Sequence, residues 1–374
     1  MKLKLMAAAL LIPWTAQAAD LGGNCCADLE ERVAELEATV ARKGNRKMSL
    51  EVSGHINQAI FTSDIDGANL DKVRIIDNDN SESRFRFKGE ARQGSWAAGF
   101  LMEFGLGGYD LDVRHQAVYL KLKDFGTLWL GKTSESTDGV TEISVVDIYR
   151  GSTLLNLSPL MSVVTGETGL GYVEMFDGGR TNTVTFRSAS LPGGFQFSGS
   201  WNEGEDYSVA LRWAQEFQGV RLAAGIGYRD EQVCSGPSPC IKIGDRTFWG
   251  GSGSAMHVAT GIYLEGAYGN SDGIQELTFA GIPFPVADTK LEAYAGRLGF
   301  AKKISAYGKT GVYGEFGQLK IKDADIDPRY YGLGFSQEVT GAAATLYLNW
   351  RQYDLDVTGM DDVNTFYGGV LIRF

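Results

Sequence analysis

From Arg84 the stretch RFRFKGEAR places a charge at every second position: Arg84, Arg86, Lys88, Glu90 and Arg92. Four of the five are cations, and fixed charge lining a narrow aqueous passage selects among ions. Other chemistry is sparse. His55, His115 and His257 stand singly, without the base, orienter and nucleophile grouping of a catalytic site or a G-x-S-x-G elbow. No Cys or His spacing fits zinc, so neither a metal nor a cofactor is expected. Cys234 and Cys240 bracket SGPSP. In an oxidising compartment a disulfide between them is expected, removing roughly 2 kcal/mol of unfolded-chain entropy, with two free thiols as the alternative.

A charge at every second residue needs an element whose side chains alternate between faces, which is a β-strand. Phe85, Phe87, Gly89 and Ala91 fill the intervening positions. The same alternation continues to the last residue. VRLAAGIGY sets Val220, Leu222, Ala224, Ile226 and Tyr228 against Arg221 and small residues. TLYLNWRQY opposes Leu346, Leu348 and Trp350 to Tyr347, Asn349 and Arg351. Sixteen strands are expected near 49–61, 82–92, 95–105, 112–123, 127–133, 181–190, 195–202, 207–217, 220–230, 254–260, 262–269, 291–301, 306–318, 329–338, 341–353 and 363–374. Short turns alternate with long connections, the pattern of an up-and-down meander. Among 374 residues, 49 are glycine and 8 proline, and aromatics reach 11%, a profile that suits strands.

The N-terminus sets the compartment. Lys2 and Lys4 precede the apolar run LMAAALLIPW, and Ala16-Gln17-Ala18 supplies a small-residue cleavage site. Residues 1–18 therefore read as a secretory signal peptide, too short in its apolar run to span a bilayer. Residues 19–47 form a periplasmic segment in which Leu29, Val33, Leu36 and Val40 fall at intervals of 4, 3 and 4, a coiled-coil-like seam. Two heptads are marginal alone, so the helix needs copies of itself or another surface. Cys25 and Cys26 are adjacent, and Asn24 precedes them where a lipoprotein signal prefers a small residue. The net charge of −11 and pI near 4.9 argue against nucleic acid.

Alternation alone fits a soluble sandwich or a membrane barrel. Three features favour the barrel, occupying residues 48–374. The strands approach the 9 to 11 residues a tilted strand needs to cross hydrocarbon. Aromatics gather near strand ends, at Phe61, Trp96, Trp129, Trp201, Phe217, Tyr228, Tyr268 and Phe366. The chain stops on a strand, with Phe366, Val370, Ile372 and Phe374 as an apolar row suited to recognition by barrel-assembly machinery. A cation on the lipid face would cost about 2–4 kcal/mol at midplane, so Arg84, Arg86, Lys88 and Arg92 must face an aqueous lumen.

Residues 25–60, the basic second strand, the long loop after the fifth strand and the terminal phenylalanine together resemble general porins of alphaproteobacterial outer membranes. The resemblance implies an all-β, transmembrane antiparallel barrel of about 16 strands, integral to the outer membrane. It further implies a homotrimer, contacts with lipid and lipopolysaccharide, and passive diffusion of small ions and hydrophilic solutes. The helix seam would join subunits, and ADLGG would allow attachment to peptidoglycan. In such porins a long loop folds inward, here near 134–180, and its charges face the basic wall. The candidates are Glu135, Asp138, Glu142, Asp147, Arg150 and Glu167, together with Glu174, Asp177 and Arg180, and their excess of acid suggests a mild cation preference. The loop carries LLNLSPLMSVVTG in place of the PEFGG-like turn common in the family. A solute-specific channel for a sugar or an anion is the alternative, with Tyr119, Tyr347 and Tyr353 as lumen aromatics. An enzyme, an adhesin or a plugged transporter finds no corresponding residues or domain.

Overall fold

The computed structural model describes residues 48–65, 73–107, 111–152, 154–155, 176–203, 206–235, 241–275, 278–279, 282–283, 287–322, 327–354 and 362–374. The signal peptide, the seam Leu29, Val33, Leu36 and Val40, and Glu167, Glu174 and Cys240 lie outside them.

Each hydrophobic-alternating stretch pairs with its neighbour in sequence. The barrel strands are β1 (Ser49–Ile65), β2 (Arg84–Gln93), β3 (Trp96–Gly105), β4 (Asp112–Leu122), β5 (Gly126–Ser134) and β6 (Arg180–Ser188). They continue as β7 (Phe195–Asn202), β8 (Tyr207–Phe217), β9 (Val220–Ser235), β10 (Ile241–His257), β11 (Ile262–Gln275) and β12 (Ala287–Lys303). The last four are β13 (Lys309–Ile321), β14 (Arg329–Val339), β15 (Ala344–Asp354) and β16 (Val363–Arg373). All pairings are antiparallel, and β16 returns to β1, with Ile56 opposite Ile372 and Phe61 opposite Tyr367. Gly54 and Phe374 exchange both backbone hydrogen bonds at the seam (2.9 and 3.0 Å). The sixteen strands thus form a closed barrel with no unpaired edge. A short extra strand, Arg74–Asp77, pairs with the upper half of β1.

The hairpins show why the turns are where they are. Gln218 and Gly219, joining β8 to β9, both take positive φ (48° and 78°), the mirror-image two-residue turn that matches strand twist. The strands β9, β10 and β12 are longer than the sequence pattern indicates. β9 runs to Ser235 and β10 begins at Ile241, so most of residues 231–254, which reads as a long connection, is ladder. The segment is rich in Gly, Ser and charge, which masks its alternation.

Outward rows are apolar: Leu346, Leu348, Leu298, Leu264, Ile226 and Leu211 are all exposed. Inward rows are mostly polar or small, with a buried apolar and aromatic cluster that includes Phe61, Phe248, Leu291 and Leu319. A continuous aromatic belt runs along the outer face near the long-loop end. Tyr207 meets Tyr228, Trp249 meets Tyr268 (4.9 Å between ring centres), Phe316 meets Tyr294 and Tyr331, and Trp350 meets Phe366. Phe61 and Trp129 do not belong to it. Phe61 is 2% exposed and packs inside the barrel, and Trp129 stands opposite Tyr119 on the lumen face. Replacing Leu348 by Arg is expected to lower stability by about 2–4 kcal/mol. Equilibrium unfolding in lipid vesicles checks this.

Candidate functional site

The lumen is organised by two structures: a basic wall on β2 to β8, and the segment 135–155 laid along β7 to β15. On the wall, Arg84, Arg86, Lys88, Glu90 and Arg92 share the inward face of β2 opposite Gly105, Glu103, Leu101, Gly99 and Ala97. Glu103 is fully buried and accepts from Arg86 Nε (2.8 Å) and Arg114 Nε (3.0 Å), with Arg84 Nη1 at 3.5 Å. Arg114 also pairs with Glu82. By strict alternation with His115 it would point outward, yet the register slips at Glu103 and Phe104, leaving Arg114 as the extra residue of a bulge that turns it into the lumen. Three arginines against two glutamates leave one positive charge in this cluster.

Lower on the wall a second basic row follows the hydrogen-bonding direction. Arg92 pairs with Ala97, Ala97 with Lys121, Lys121 with Thr127, Thr127 with Arg187, and Arg187 with Ser198. Arg212 stands on β8 opposite Gln196, two residues from the same rung. Cations therefore occur on β2, β4, β6 and β8 with small side chains between them. Glu90 offsets one, bonding Arg92 and accepting from Tyr119 Oη (2.9 Å).

The segment 135–155 is fastened to the wall by backbone and side-chain bonds. Ser136 N reaches the Ser208 hydroxyl (3.2 Å), Ile143 N the Ser252 hydroxyl (2.8 Å) and Val145 N the Ser254 hydroxyl (3.1 Å). Tyr149 receives the Asn57 amide (2.9 Å). Gly151, at φ +78°, lies so close to Tyr347 and Asn349 that no side chain fits. Beneath the segment sits a buried ionic chain. Glu265 accepts from Arg150 (2.7 Å) and Arg297 (3.3 Å), and Glu315 from Arg297 (2.6 Å) and Arg351 (2.7 Å). Arg297 lies over the Tyr313 ring and Arg351 over the Tyr330 ring, each at 4.4 Å, and Arg297 also donates to the Ser152 carbonyl (3.2 Å). Tyr149 and Leu155 pack against the inward cluster of Phe61, Tyr330 and Tyr347.

The acids of the segment have partners of their own. Glu135 is buried at its root, accepting from Thr181 (3.1 Å) and Asn202 (2.9 Å), and burial raises its carboxyl pKa. Asp138 pairs with Arg180 (3.8 Å), and exposed Asp147 with Lys309. Asp177 is buried and receives Thr141 N (3.0 Å) while bonding its hydroxyl (2.8 Å). Burial, then the nearby Glu142 charge, holds its carboxyl well above the usual range. Glu142 is half-buried. The lumen tyrosines Tyr119, Tyr347 and Tyr353 are all buried, Tyr119 against the Trp129 ring (4.6 Å). Glu103 and Arg114 have no signal in the sequence pattern: one is a single acid in an apolar run, the other sits at the outward parity. The buried Arg297, Glu315 and Arg351 do fall on inward parity.

A closed barrel with a greasy exterior, an aromatic belt and an ionic lumen defines an outer-membrane channel. A family model described as Gram-negative porin matches residues 6–371, and the chain belongs to that family, an integral β-barrel porin of the outer membrane. Solved structures of similar fold include an anion-selective porin from Comamonas acidovorans, 14% identical over 87% of this chain and 100% of that one (TM-score 0.63). OmpT of Vibrio cholerae carrying a loop L8 deletion is 17% identical over 88% and 100% (TM-score 0.59). Salmonella typhi OmpF in complex with daunomycin is 12% identical over 88% and 98% (TM-score 0.59). No curated protein matches the chain.

Two measurements test the fastening. Glu315→Gln leaves Arg297 and Arg351 buried with one counter-charge fewer, and a loss of about 3–5 kcal/mol is expected in denaturant unfolding. Because the Asp177 pKa is raised in the folded state, its stabilisation is complete below the ordinary carboxylate range and is lost as pH rises through the raised value. Open-channel current noise should therefore grow with pH. Asp177→Asn should reduce that growth, and adding Glu135→Gln should reduce it further.

Proposed function

We propose that the lumen favours small anionic and neutral hydrophilic solutes over cations, as a general diffusion channel. The observation that carries this reading is the basic row of Lys121, Arg187 and Arg212, with Lys88 above it and Arg92 already paired to Glu90, facing a segment whose described acids are paired or buried. The acid excess counted along residues 134–180 suggests the opposite sign. Pairing supports the anion reading, because a carboxylate bonded to Arg180 or Lys309 contributes little field to the passage. The anion-selective porin among the similar structures supports the reading by analogy of fold alone. A sugar-specific channel has one feature in its favour, the Tyr119–Trp129 ring contact beside Glu90.

A homotrimer is the second part of the proposal, and OmpT of Vibrio cholerae is described in a trimer form. The outward belt of Tyr and Trp covers β8 to β16, whereas the outward positions towards the same end of β4 to β6 carry Gln116, Lys132 and Asn182. Polar groups at that height suit a protein neighbour better than lipid. The likeness of residues 25–60 to alphaproteobacterial general porins supports a source in that group.

In planar bilayers, the zero-current potential across a KCl gradient should show chloride more permeant than potassium, with current steps in threes. Potassium preference overturns the anion reading, and saturable block by a neutral sugar favours the sugar-specific channel.

A further inference from the structure

Ion pairing accounts for most of the lumen arginines. Arg84, Arg86 and Arg114 share Glu103, Arg92 has Glu90, Arg180 has Asp138, Arg229 has Glu231, and Arg297 and Arg351 have Glu315. Arg187 and Arg212 differ. Among the described residues neither has a carboxylate within ion-pair distance. Arg187 gives one bond, to the Ser134 carbonyl (3.3 Å). Arg212 gives two, to the Asp138 carbonyl (2.8 Å) and the Ser198 hydroxyl (3.3 Å). A guanidinium carries five N–H donors, so most of their donors have no protein acceptor.

Their placement brings those donors together. Arg187 on β6 stands opposite Ser198 on β7, and Arg212 on β8 stands opposite Gln196, one inward position from Ser198. Two strand spacings separate the backbones by about 10 Å, a gap that two long side chains can close on a small ion. Both are half-buried, which weakens solvent screening and makes a shared anion worth more than at the surface. The nearest acids have other attachments: Asp138 pairs with Arg180, and Asp177 bonds Thr141. Two like charges held side by side in a partly dry wall, with donors to spare, have no carboxylate in direct ion-pair contact among the described residues, although Asp138 lies near both.

We propose that Arg187, Arg212 and the Ser198 hydroxyl form a binding site for a tetrahedral oxyanion, inorganic phosphate being the simplest, on the lumen wall beneath Asp138. The site rests on the reading that anions enter this lumen, and it narrows that reading to a solute class. Guanidinium forks match the oxygen edges of a phosphate, and the four oxygens of a tetrahedral ion can take two forks at once while a carboxylate offers only one edge. The hydroxyl lies between the forks and can supply a further bond. Phosphate would reside there transiently and pass on, so that in mixed salt it slows the chloride current through the same passage.

The test is titration of the single-channel chloride current with inorganic phosphate in planar bilayers at neutral pH. The unmodified channel should show saturable reduction of current. Arg187→Gln and Arg212→Gln should each raise the half-blocking concentration about tenfold, the worth of one lost charged hydrogen bond. The double variant R187K/R212K keeps the charge but loses the forks. It should retain the anionic zero-current potential and still lose the block, and it decides the matter if the glutamine variants fail to assemble. Arg92→Gln, on the same rung but paired with Glu90, should shift the block little. Absence of block, or block unchanged in R187K/R212K, or an equal shift from Arg92→Gln, overturns the site. An anion-preferring channel without phosphate block sinks this inference alone. A potassium-preferring channel whose phosphate block depends on both arginines sinks the permeability reading and leaves the site standing.

Discussion

In hydrocarbon a peptide N–H or C=O without a partner costs several kilocalories per mole, and every other feature of this protein is arranged around that fact. The chain meets it by pairing β1 with β16, so that no strand keeps a free edge. Once the cylinder is closed, the alternation of the strands assigns each side chain to lipid or to water. Leu348 and Arg351 lie three residues apart on one strand, the first exposed on the outer face and the second buried inside the barrel. The cations of β2 are then not tolerated charges but the expected lining.

Closure creates an interior too wide for side chains alone to fill, and the segment after β5 occupies part of it. That segment is mixed in character, and its Val140, Val146, Ile148 and Leu154 are buried against apolar side chains of the inner wall. It is held by serine hydroxyls on β7, β8 and β10 and by an ionic chain that runs from Arg150 through Glu265, Arg297 and Glu315 to Arg351. Buried charges of this kind are costly unless their bonds are complete, and here tyrosine rings and the Ser152 carbonyl complete them. One result is electrical: the acids that anchor the segment are engaged by their own partners, which is the ground for the proposed anion preference.

The barrel was legible because period two is a local property. The number of strands, their order and the faces of β8, β9 and β15 follow from residue types a few positions apart. Legibility failed where parity or pairing is set from a distance. Arg114 reads as outward until a bulge against β3 turns it, and Phe61 and Trp129 read as belt residues until register places them inside. The partners of Asp138 and Asp147 lie on β6 and β13, and no spacing rule links them. Counting charges along a loop leaves this pairing out, and the pairing pattern is what sets Arg187 and Arg212 apart as lumen arginines with no ion-paired carboxylate among the described residues.

The seam between the two ends of the barrel also has a kinetic side. The Tyr347 hydroxyl donates to Asn57 across a separation of 290 residues, and Gly54 bonds the terminal residue itself. Contacts of such span form late, after the entropy of a very long loop has been surrendered. Until β16 pairs with β1, the open curl presents two raw margins, each a row of unpaired N–H and C=O groups on which a strand of another chain could add.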